Sequence, residues 1–436
     1  MGVRSAASLF SSDRKPPDDA RSIEVSGASI AAVIRYAHRT VARETAHEGT
    51  PVKLDLLYEL TCPQPWDEDS ERRTYHEALE QIVLADRLGF GTVWEVEHHF
   101  LSEFSHSSAP EVFLSAVSQR TKNIRLGHGV VLLPNPFNYP IRVAERIGAL
   151  DIVSNGRVEF GTGRSTWYEQ GGFGINPELT REMWEEALSI IPKMWMTQTF
   201  QHEGKYFTIP QRNVIPKPVQ KPHPAIWMAG TQPESFEIAG SRGIGILALT
   251  IMVPVEELER RLALYRAAVA NARPFGAFVN DRANCLTLVH CARTTRQAIK
   301  NGAPQAIAWY LKTVASLLFP PADGSDEAIV SGVDFAAQAA RTQQASTPLQ
   351  ETQATKAITE FHEGKIGVDD LYEAMDSDDM IVVGDPEKCR QKLERYADMG
   401  LNSVMCQVQI GDIPHRAVMD SIRLLGTKVR PHFDPA

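Results

Sequence analysis

The 436-residue sequence has no excess of positive charge, few cysteines and no long apolar run. Asp and Glu total 54 against 45 Lys and Arg, a formal charge of −9. That balance argues against nonspecific nucleic-acid binding, which needs a basic surface. The five cysteines are widely spaced without a CxxC motif, so neither a zinc site nor a disulfide framework is indicated. A reducing compartment, the cytoplasm, is expected.

Segments that would direct the chain to a membrane are also missing from the sequence. No apolar stretch approaches the ~18 residues of a membrane helix. Residues 1–22 lack the apolar core of about 7–15 residues that a secretory signal needs. We therefore expect no membrane association. The apolar fraction of 43% nevertheless provides for a large core.

Residues 1–50 differ in composition from the rest of the chain. Residues 1–26 are rich in Pro, Asp and Ser, which predicts a flexible tail. Residues 27–47 carry apolar side chains at helical spacing, which predicts a short amphipathic helix. We expect this helix to pack on the main body, with a partner-binding arm as the alternative.

From residue 51 to residue 436, short apolar runs alternate with longer segments of helical periodicity. Eight runs have strand character: 53–60, 92–97, 124–134, 157–163, 225–230, 245–250, 283–291 and 403–410. A repeated strand–helix unit predicts an α/β fold with a parallel sheet. A doubly wound sheet is possible, but eight units favour a closed (β/α)8 TIM barrel.

Residues 294–378 are longer than the one helix that a barrel needs between its seventh and eighth strands. They contain two helical patterns, AIAWYLKTVASLLF and FAAQAARTQQA, separated by the loop PPADGSDE. Insertions after barrel strands lie over the C-terminal mouth. We predict a large helical insertion that acts as an active-site lid, with a dimer contact as the alternative.

The second strand ends in Glu97-His98-His99, at the edge where TIM barrels carry their active sites. Adjacent strand residues point to opposite faces, so His98 and His99 would not ligate one metal ion together, and we predict no metal site. A single His at this position can serve as a general acid, a base or a hydrogen-bond donor. Capping of the strand end is the alternative.

Two other strand ends are rich in small residues. GTGRST (161–166) half-matches the dinucleotide fingerprint GxGxxG, but it lacks the last Gly and we expect no helix directly after it. Gly163 and Arg164 would still let a flat ring or an anion approach the backbone. Gly230 and Thr231 precede a helical segment whose N-terminus could bind a phosphate, with ordinary capping by Thr231 as the alternative.

Four stretches match a known family in order and spacing. They are WEVEHHFLSEF (94–104), residues 124–151, GRVEFGTGR with GFGINPELTR (156–164 and 172–181), and GDPEKCRQKLERYADMG (384–400). The sequence thereby resembles the bacterial luciferase-like flavin monooxygenases from Leu54 to Phe433, apart from the middle of the insertion. The resemblance implies a TIM barrel that binds reduced FMN and activates O₂ through a flavin C4a-hydroperoxide.

The resemblance also implies catalytic residues. The first His of the EHHF motif is the family's catalytic histidine, which corresponds to His98, with Glu97 and His99 as supporting residues. In the family, the strand behind the flavin ring contains a non-proline cis peptide bond. The matching bond is Gly129–Val130, so the resemblance places these two residues against the cofactor.

The phosphate of the flavin would be held by two arginines and one helix N-terminus. The resemblance assigns Arg164 and Arg181 to it, and Gly230 and Thr231 would add hydrogen bonds. Gly163 stands where bacterial luciferase has a cysteine near the flavin edge. This departure removes a reactive thiol and argues against assuming light emission.

The resemblance implies oxidation of a small organic, lipophilic substrate by O₂. No Rossmann motif is evident, so a separate NAD(P)H:flavin reductase would supply reduced FMN. The family commonly forms homodimers.

An F420-dependent hydride-transfer enzyme is one alternative, which the EHHF motif and the charge of −9 disfavour. A non-catalytic flavin-binding barrel is another, although the catalytic histidine and both arginines are present. Candidate aromatic residues for the substrate pocket, with core packing as the alternative, are Trp94, Trp167, Tyr168 and Trp227.

Overall fold

A computed structural model describes residues 51–249, 255–318 and 352–434. The predicted tail and helix of residues 1–50 lie outside the described residues, as does the second helical pattern of the insertion, 335–345. Within the described residues, no helix is long and apolar enough to cross a membrane.

Twelve strands occur in the described residues, and eight of them close into a parallel barrel. They are β1 (Lys53–Tyr58), β2 (Thr92–Glu95), β3 (Arg125–His128), β4 (Val131–Leu132), β5 (Val158–Gly163), β6 (Phe200–Glu203), β7 (Thr208–Arg212), β8 (Ala225–Gly230), β9 (Gly245–Leu249), β10 (Ala283–Cys291), β11 (Ile381–Gly384) and β12 (Ser403–Gln407). The barrel order is β1-β2-β3-β5-β8-β9-β10-β12, and β12 pairs with β1 to close it. The predicted TIM barrel is confirmed, with each of the eight predicted strands in place.

The other four strands are local additions to the barrel. β4 continues the third strand after a break at Gly129 and Val130 and pairs with the end of β5. β6 and β7 form an antiparallel hairpin within the Pro-rich stretch before β8. β11 pairs with the last residues of β10, at the end of the insertion.

Helices separate the barrel strands, as the repeated strand–helix pattern predicts. They are α1 (Ser70–Arg87), α2 (Pro110–Arg120), α3 (Pro140–Val153), α4 (Trp167–Gly172), α5 (Thr180–Met196), α6 (Pro233–Ser241), α7 (Val255–Val269), α8 (Thr295–Lys300), α9 (Ala303–Leu318), α10 (Gln353–His362), α11 (Val368–Ser377), α12 (Pro386–Asp398) and α13 (His415–Leu424). A 3₁₀ turn (Pro177–Leu179) precedes α5, and a π-helical turn (Leu425–Val429) and a 3₁₀ turn (Arg430–His432) follow α13. Helices α8 to α11 belong to the insertion, and α9 matches its first predicted helix.

The N-terminal half of the barrel interior is filled by charged and aromatic side chains that pair with one another. Asp55 accepts hydrogen bonds from Trp94 Nε1 at 3.0 Å and Ser403 Oγ at 2.7 Å. Glu159 accepts from Trp227 Nε1 at 2.6 Å. Because these buried carboxylates are satisfied by interior donors, they tie β1, β2, β5, β8 and β12 together.

Two tryptophans form the centre of this layer. The rings of Trp94 and Trp227 meet edge to face at 5.4 Å between centroids, and both side chains are buried. A Cβ at Gly127 would lie 2.3 Å from the Trp94 ring, and one at Gly245 would lie 2.4 Å from the Trp227 ring. The glycines on the neighbouring strands therefore make room for the indoles, and both tryptophans belong to the core.

Candidate active site at the C-terminal end of the barrel

His98 lies in the loop that follows β2, between two carboxyl groups contributed by other parts of the barrel. Its Nδ1 is 3.0 Å from Glu169 Oε1 and its Nε2 is 3.6 Å from Glu59 Oε2. Its backbone N–H donates to the Ser107 carbonyl at 2.9 Å, which fixes the loop. The imidazole is 21% exposed, so it sits in a partly covered site with a negative partner on each ring nitrogen.

The protonation states of His98, Glu169 and Glu59 follow from their burial and from the charges that they exert on one another. Burial lowers the pKa of His98, but Glu169 and Glu59 outweigh burial and raise that pKa to about 9. Burial also opposes ionisation of Glu169, yet His98 and nearby hydroxyl donors bring the Glu169 pKa to about 2. Burial raises the pKa of Glu59 to about 7, against the opposing attraction of His98. Near neutral pH, His98 is therefore an imidazolium that donates hydrogen bonds.

Glu169 organises the site, and the sequence analysis did not identify it. Its fully buried carboxylate accepts from the His99 backbone N–H at 2.9 Å, Ser165 Oγ at 2.7 Å and Thr166 Oγ1 at 2.8 Å, besides His98. Thr166 and Glu169 form a capping box that opens α4. The expectation of no helix after GTGRST was therefore wrong, and the Thr-x-x-Glu pattern was the signal that could have shown it.

Glu59 is the second carboxyl group that the sequence analysis missed. It directly follows β1 and is 4% exposed. Tyr310, in α9 of the insertion, donates to Glu59 Oε1 at 3.4 Å. Glu59 Oε2 makes no hydrogen bond within the described residues. A charged residue closing an apolar strand at the C-terminal edge was the available sequence signal.

Glu97 and His99 flank His98, and their side chains lie 3.4 Å apart between Glu97 Oε1 and His99 Nε2. Glu97 accepts from the Leu132 backbone N–H and from Asn138 Nδ2, each at 2.8 Å, so it anchors β4 and the start of α3. The His99 ring stacks on Phe137 with 5.8 Å between centroids. Neither side chain makes a hydrogen bond to His98 in the described residues, so both have a supporting place around the end of β2.

The Gly129–Val130 bond is trans, so the expectation of a cis peptide bond at this position was wrong. The cis bonds of the described residues all precede proline: Gln64–Pro65, Asn135–Pro136, Ile215–Pro216 and Lys221–Pro222. The trans form is the ordinary state of a non-proline bond, preferred by about 2.5–4 kcal/mol. Gly129 N–H donates to the Glu95 carbonyl at 2.7 Å, and a Cβ at Gly163 would lie 2.4 Å from Val130 Cγ2. Gly129, Val130 and Gly163 are thus neighbours beside β4.

Two guanidinium groups come near each other where β5 ends and α5 begins. Arg164 Nη1 donates to Thr180 Oγ1 at 3.2 Å, and Arg181 Nη2 donates to Glu234 Oε2 at 3.2 Å. Burial lowers the pKa of Arg164 to about 10, and the positive charge of Arg181 adds to this effect. Arg181 Nη1 is buried and makes no hydrogen bond within the described part of the chain. Two nearby cations with an unused buried donor form a site that favours an anion.

Gly230 ends β8, and Thr231 follows it and leads into α6, whose first turn contains Glu234. A Cβ at Gly230 would lie 2.6 Å from Ser235 Cβ, so the strand end packs closely on this helix. The Thr231 carbonyl accepts a hydrogen bond from Arg261. The Arg181–Glu234 pair places the start of α6 beside the arginines, so the predicted phosphate-binding residues converge. Their charge, donors and helix N-terminus fit the phosphate of FMN.

Comparison with known proteins identifies the family. A family model described as luciferase-like monooxygenase matches residues 57–403. The chain belongs to this family. The resemblance expected from the EHHF, GTGR and GDPEKC segments is therefore confirmed.

Several relatives within the luciferase-like family carry names. The chain is 29% identical over 205 residues to the oxygenase component of flavin-dependent trigonelline monooxygenase from Acinetobacter baylyi, covering 46% of this chain and 56% of that protein. It is 34% identical over 239 residues to limonene 1,2-monooxygenase from Rhodococcus erythropolis, covering 54% and 60%. The chain thus spans little more than half the length of these named relatives. An uncharacterised protein of Sinorhizobium fredii, y4wF, is 30% identical over 80% of this chain and 89% of its own length.

Solved structures share the barrel. The monooxygenase RslO1 from Streptomyces bottropensis aligns with a TM-score of 0.68 at 24% identity, over 88% of this chain and 100% of that one. The oxygenating constituent of 3,6-diketocamphane monooxygenase from Pseudomonas putida, in complex with FMN, aligns with a TM-score of 0.66 at 19% identity, over 88% and 99%. An F420-dependent secondary alcohol dehydrogenase also aligns, with a TM-score of 0.62 at 16% identity, over 88% and 100%. At these identities the likeness establishes the fold.

Proposed function

We propose that the protein is a flavin-dependent monooxygenase that uses reduced FMN and O₂ to oxidise a small lipophilic organic substrate. The observation that carries this proposal is the presence of two features at the C-terminal end of one barrel. His98 lies there between the carboxyl groups of Glu169 and Glu59, and an arginine pair has an unused buried donor, Arg181 Nη1. The names of the trigonelline and limonene relatives support an oxygenation reaction.

In this proposal, some residues bind the flavin and others donate hydrogen bonds or protons. Arg164 and Arg181, with the start of α6, would hold the phosphate and orient the ring end toward His98. His98, held by Glu169, would donate a hydrogen bond or a proton where negative charge develops on oxygen. When bound, reduced FMN would supply the two electrons that O₂ needs, so that one oxygen atom enters the substrate and the other leaves as water.

A separate NAD(P)H:flavin reductase would supply the reduced flavin, and the supporting observation is a relative named as an oxygenase component. The homodimer that the family suggests is a further part of the proposal. F420-dependent hydride transfer stays the alternative, because an F420-dependent dehydrogenase shares the fold. The predicted lid role of residues 294–378 stays a prediction, supported by the contact of Tyr310 with Glu59.

Anaerobic titration with reduced FMN, reduced riboflavin and reduced F420 tests this function. We expect reduced FMN to bind more tightly than reduced riboflavin, because only FMN carries the phosphate. The FMN complex is then mixed with ¹⁸O₂ and a panel of terpenes, ketones and aldehydes, and products are analysed by mass spectrometry. Incorporation of one ¹⁸O atom is expected. Preference for reduced F420, with hydride transfer and no oxygen incorporation, would replace the proposal by its alternative.

A further inference from the structure

Glu59 is a buried acid that the proposed function does not use. Its side chain lies at the C-terminal end of β1, and Oε2 faces His98 Nε2 at 3.6 Å without making a hydrogen bond. Glu169 already orients the other ring nitrogen of His98. A second buried carboxyl group beside the same imidazole destabilises the fold when it is charged, because burial opposes ionisation. Its presence therefore suggests a functional role.

Tyr310 connects this carboxyl group to the insertion. The tyrosine lies in α9, is 1% exposed and donates to Glu59 Oε1 at 3.4 Å. Its ring lies 4.9 Å from the ring of Phe104, and the Phe104 ring lies 6.1 Å from the His98 ring, between centroids. The first long helix of the insertion therefore reaches the group of residues around His98.

We propose that Glu59 is a positioning residue that acts with Glu169 to keep His98 an imidazolium, and that Tyr310 of the insertion stabilises the charged form of Glu59. The effect on catalysis depends on the proposed function. The contacts of Glu59 with His98 and Tyr310 do not depend on it. It gives the insertion a direct effect on the catalytic histidine, in addition to any effect on substrate access.

The charges around the pair agree with this assignment. An anionic partner within 4–6 Å favours the protonated form of histidine, and a hydrogen bond from Tyr310 favours the anionic form of Glu59. With Glu59 titrating at about 7 and His98 at about 9, both are ionised between these values. The other ionisable groups that act on the two side chains are Glu95 and Glu97 at the end of β2, Glu169 of α4 and Tyr310 of α9.

The test is a titration of His98 by NMR in protein labelled with ¹⁵N-histidine, with and without FMN. His98→Gln assigns the signal. In the unaltered chain we expect His98 to lose its proton near the pKa of about 9. Glu59→Gln should lower that pKa by about one unit or more, because one of two anions is removed. Tyr310→Phe should lower it less, because Glu59 then holds its own proton to higher pH.

The matched control removes the carboxyl group that lies beside another histidine of the same loop, His106. Glu71 Oε1 lies 3.0 Å from His106 Nδ1, so Glu71→Gln removes a carboxyl group beside a different imidazole and should leave the His98 titration unchanged. An unchanged His98 pKa in both Glu59→Gln and Tyr310→Phe would overturn the proposal. If Glu59→Gln does not fold, Tyr310→Phe decides the question alone, since it retains the carboxyl group.

Flavin binding separates this inference from the proposed function. The NMR titration of the flavin-free chain reports on Glu59 and His98 whether or not the protein is a monooxygenase. Failure of the unaltered chain to bind reduced FMN would refute the proposed function and leave the histidine result standing. Normal FMN binding with an unmoved His98 in both variants would refute the inference and leave the proposed function intact.

Discussion

Buried charged side chains are paired at the N-terminal end of the barrel interior and incompletely paired at its C-terminal end. At the N-terminal end, Glu159 is bonded to Arg125 Nε at 2.5 Å and to Arg282 Nη2 at 3.0 Å, so both of its oxygens have cationic partners. At the C-terminal end, Glu59 Oε2 and Arg181 Nη1 are buried without a hydrogen bond in the described residues. Paired charges at one end support the fold, whereas unused donors and acceptors at the other end mark the site.

The same residue type therefore has two different acidities in one barrel. Burial opposes ionisation of Glu159, but Arg282 and Arg125 outweigh it and lower the Glu159 pKa. Burial prevails at Glu59 and raises its pKa to about 7. The difference lies in the number and distance of cations, since both side chains are almost fully enclosed.

Removal of the His98 imidazole, which we propose to be catalytic, should have the largest effect at the C-terminal end. His98→Ala is expected to lower turnover by about 10²–10⁴-fold, the usual contribution of a positioned acid or base. Affinity for FMN should change little, because the phosphate contacts lie elsewhere. Steady-state kinetics with the identified substrate, together with FMN titration, measure both. Unchanged turnover would remove His98 from the catalytic machinery.

Substitution of matched glutamates tests the comparison itself. Glu159→Gln should destabilise the protein by about 3–5 kcal/mol, because Arg125 and Arg282 lose a buried anion. Glu59→Gln should be no less stable than the unaltered chain at pH 8. The raised pKa of Glu59 means that stability is lost as pH rises from about 4.5 through about 7, and Gln removes this loss.

Urea unfolding at pH 5 and pH 8 measures this glutamate pair. Glu59→Gln should gain stability relative to the unaltered chain on going from pH 5 to pH 8, whereas the deficit of Glu159→Gln should persist at both. Equal losses for the two variants would contradict the division between the ends.

The arginine pair should discriminate between flavins by their phosphate. Arg181→Ala is expected to weaken FMN binding by about 10–100-fold, since a charge-assisted hydrogen bond contributes about 1.5–3 kcal/mol. Riboflavin, which has no phosphate, should bind as before. Fluorescence titration with both ligands provides the measurement, and equal losses for FMN and riboflavin would refute the phosphate role.

The smallest effect is expected at Glu234, which pairs with Arg181 from the start of α6. Glu234→Gln should tighten FMN binding by about two- to fivefold, because an exposed carboxylate competes only weakly for the arginine. Glu237→Gln on the same helix is the control and should leave FMN affinity unchanged. Weaker FMN binding in Glu234→Gln would show that this carboxylate assists the site.

The sequence predicts the barrel well because its signal is local. Strand and helix periodicities occupy contiguous residues, so all eight strands could be located before the fold was known. Strand-end position singled out His98 and Arg164, the family resemblance gave them roles and added Arg181, and the structure brings the two arginines together. The expected cis bond at Gly129–Val130 was wrong, because a feature carried over from relatives need not hold in this chain.

The partners of His98 escaped sequence analysis because they are distant in the chain. Glu59 follows β1, Glu169 lies in α4 and Tyr310 lies in α9, and only the folded barrel brings them to the histidine. Nothing in their local sequence specifies these contacts. The capping pattern at Thr166 could have located Glu169 on a helix, but it carries no information about His98.

A crystal structure of the chain with bound FMN tests the central claim most directly. We expect the phosphate in contact with Arg164 and Arg181, with Arg181 Nη1 as a donor, and the ring end on the side of His98. The paired carboxylates around Asp55 and Glu159 should be unchanged. A phosphate bound away from the two arginines, or a flavin outside the C-terminal mouth, would contradict the account.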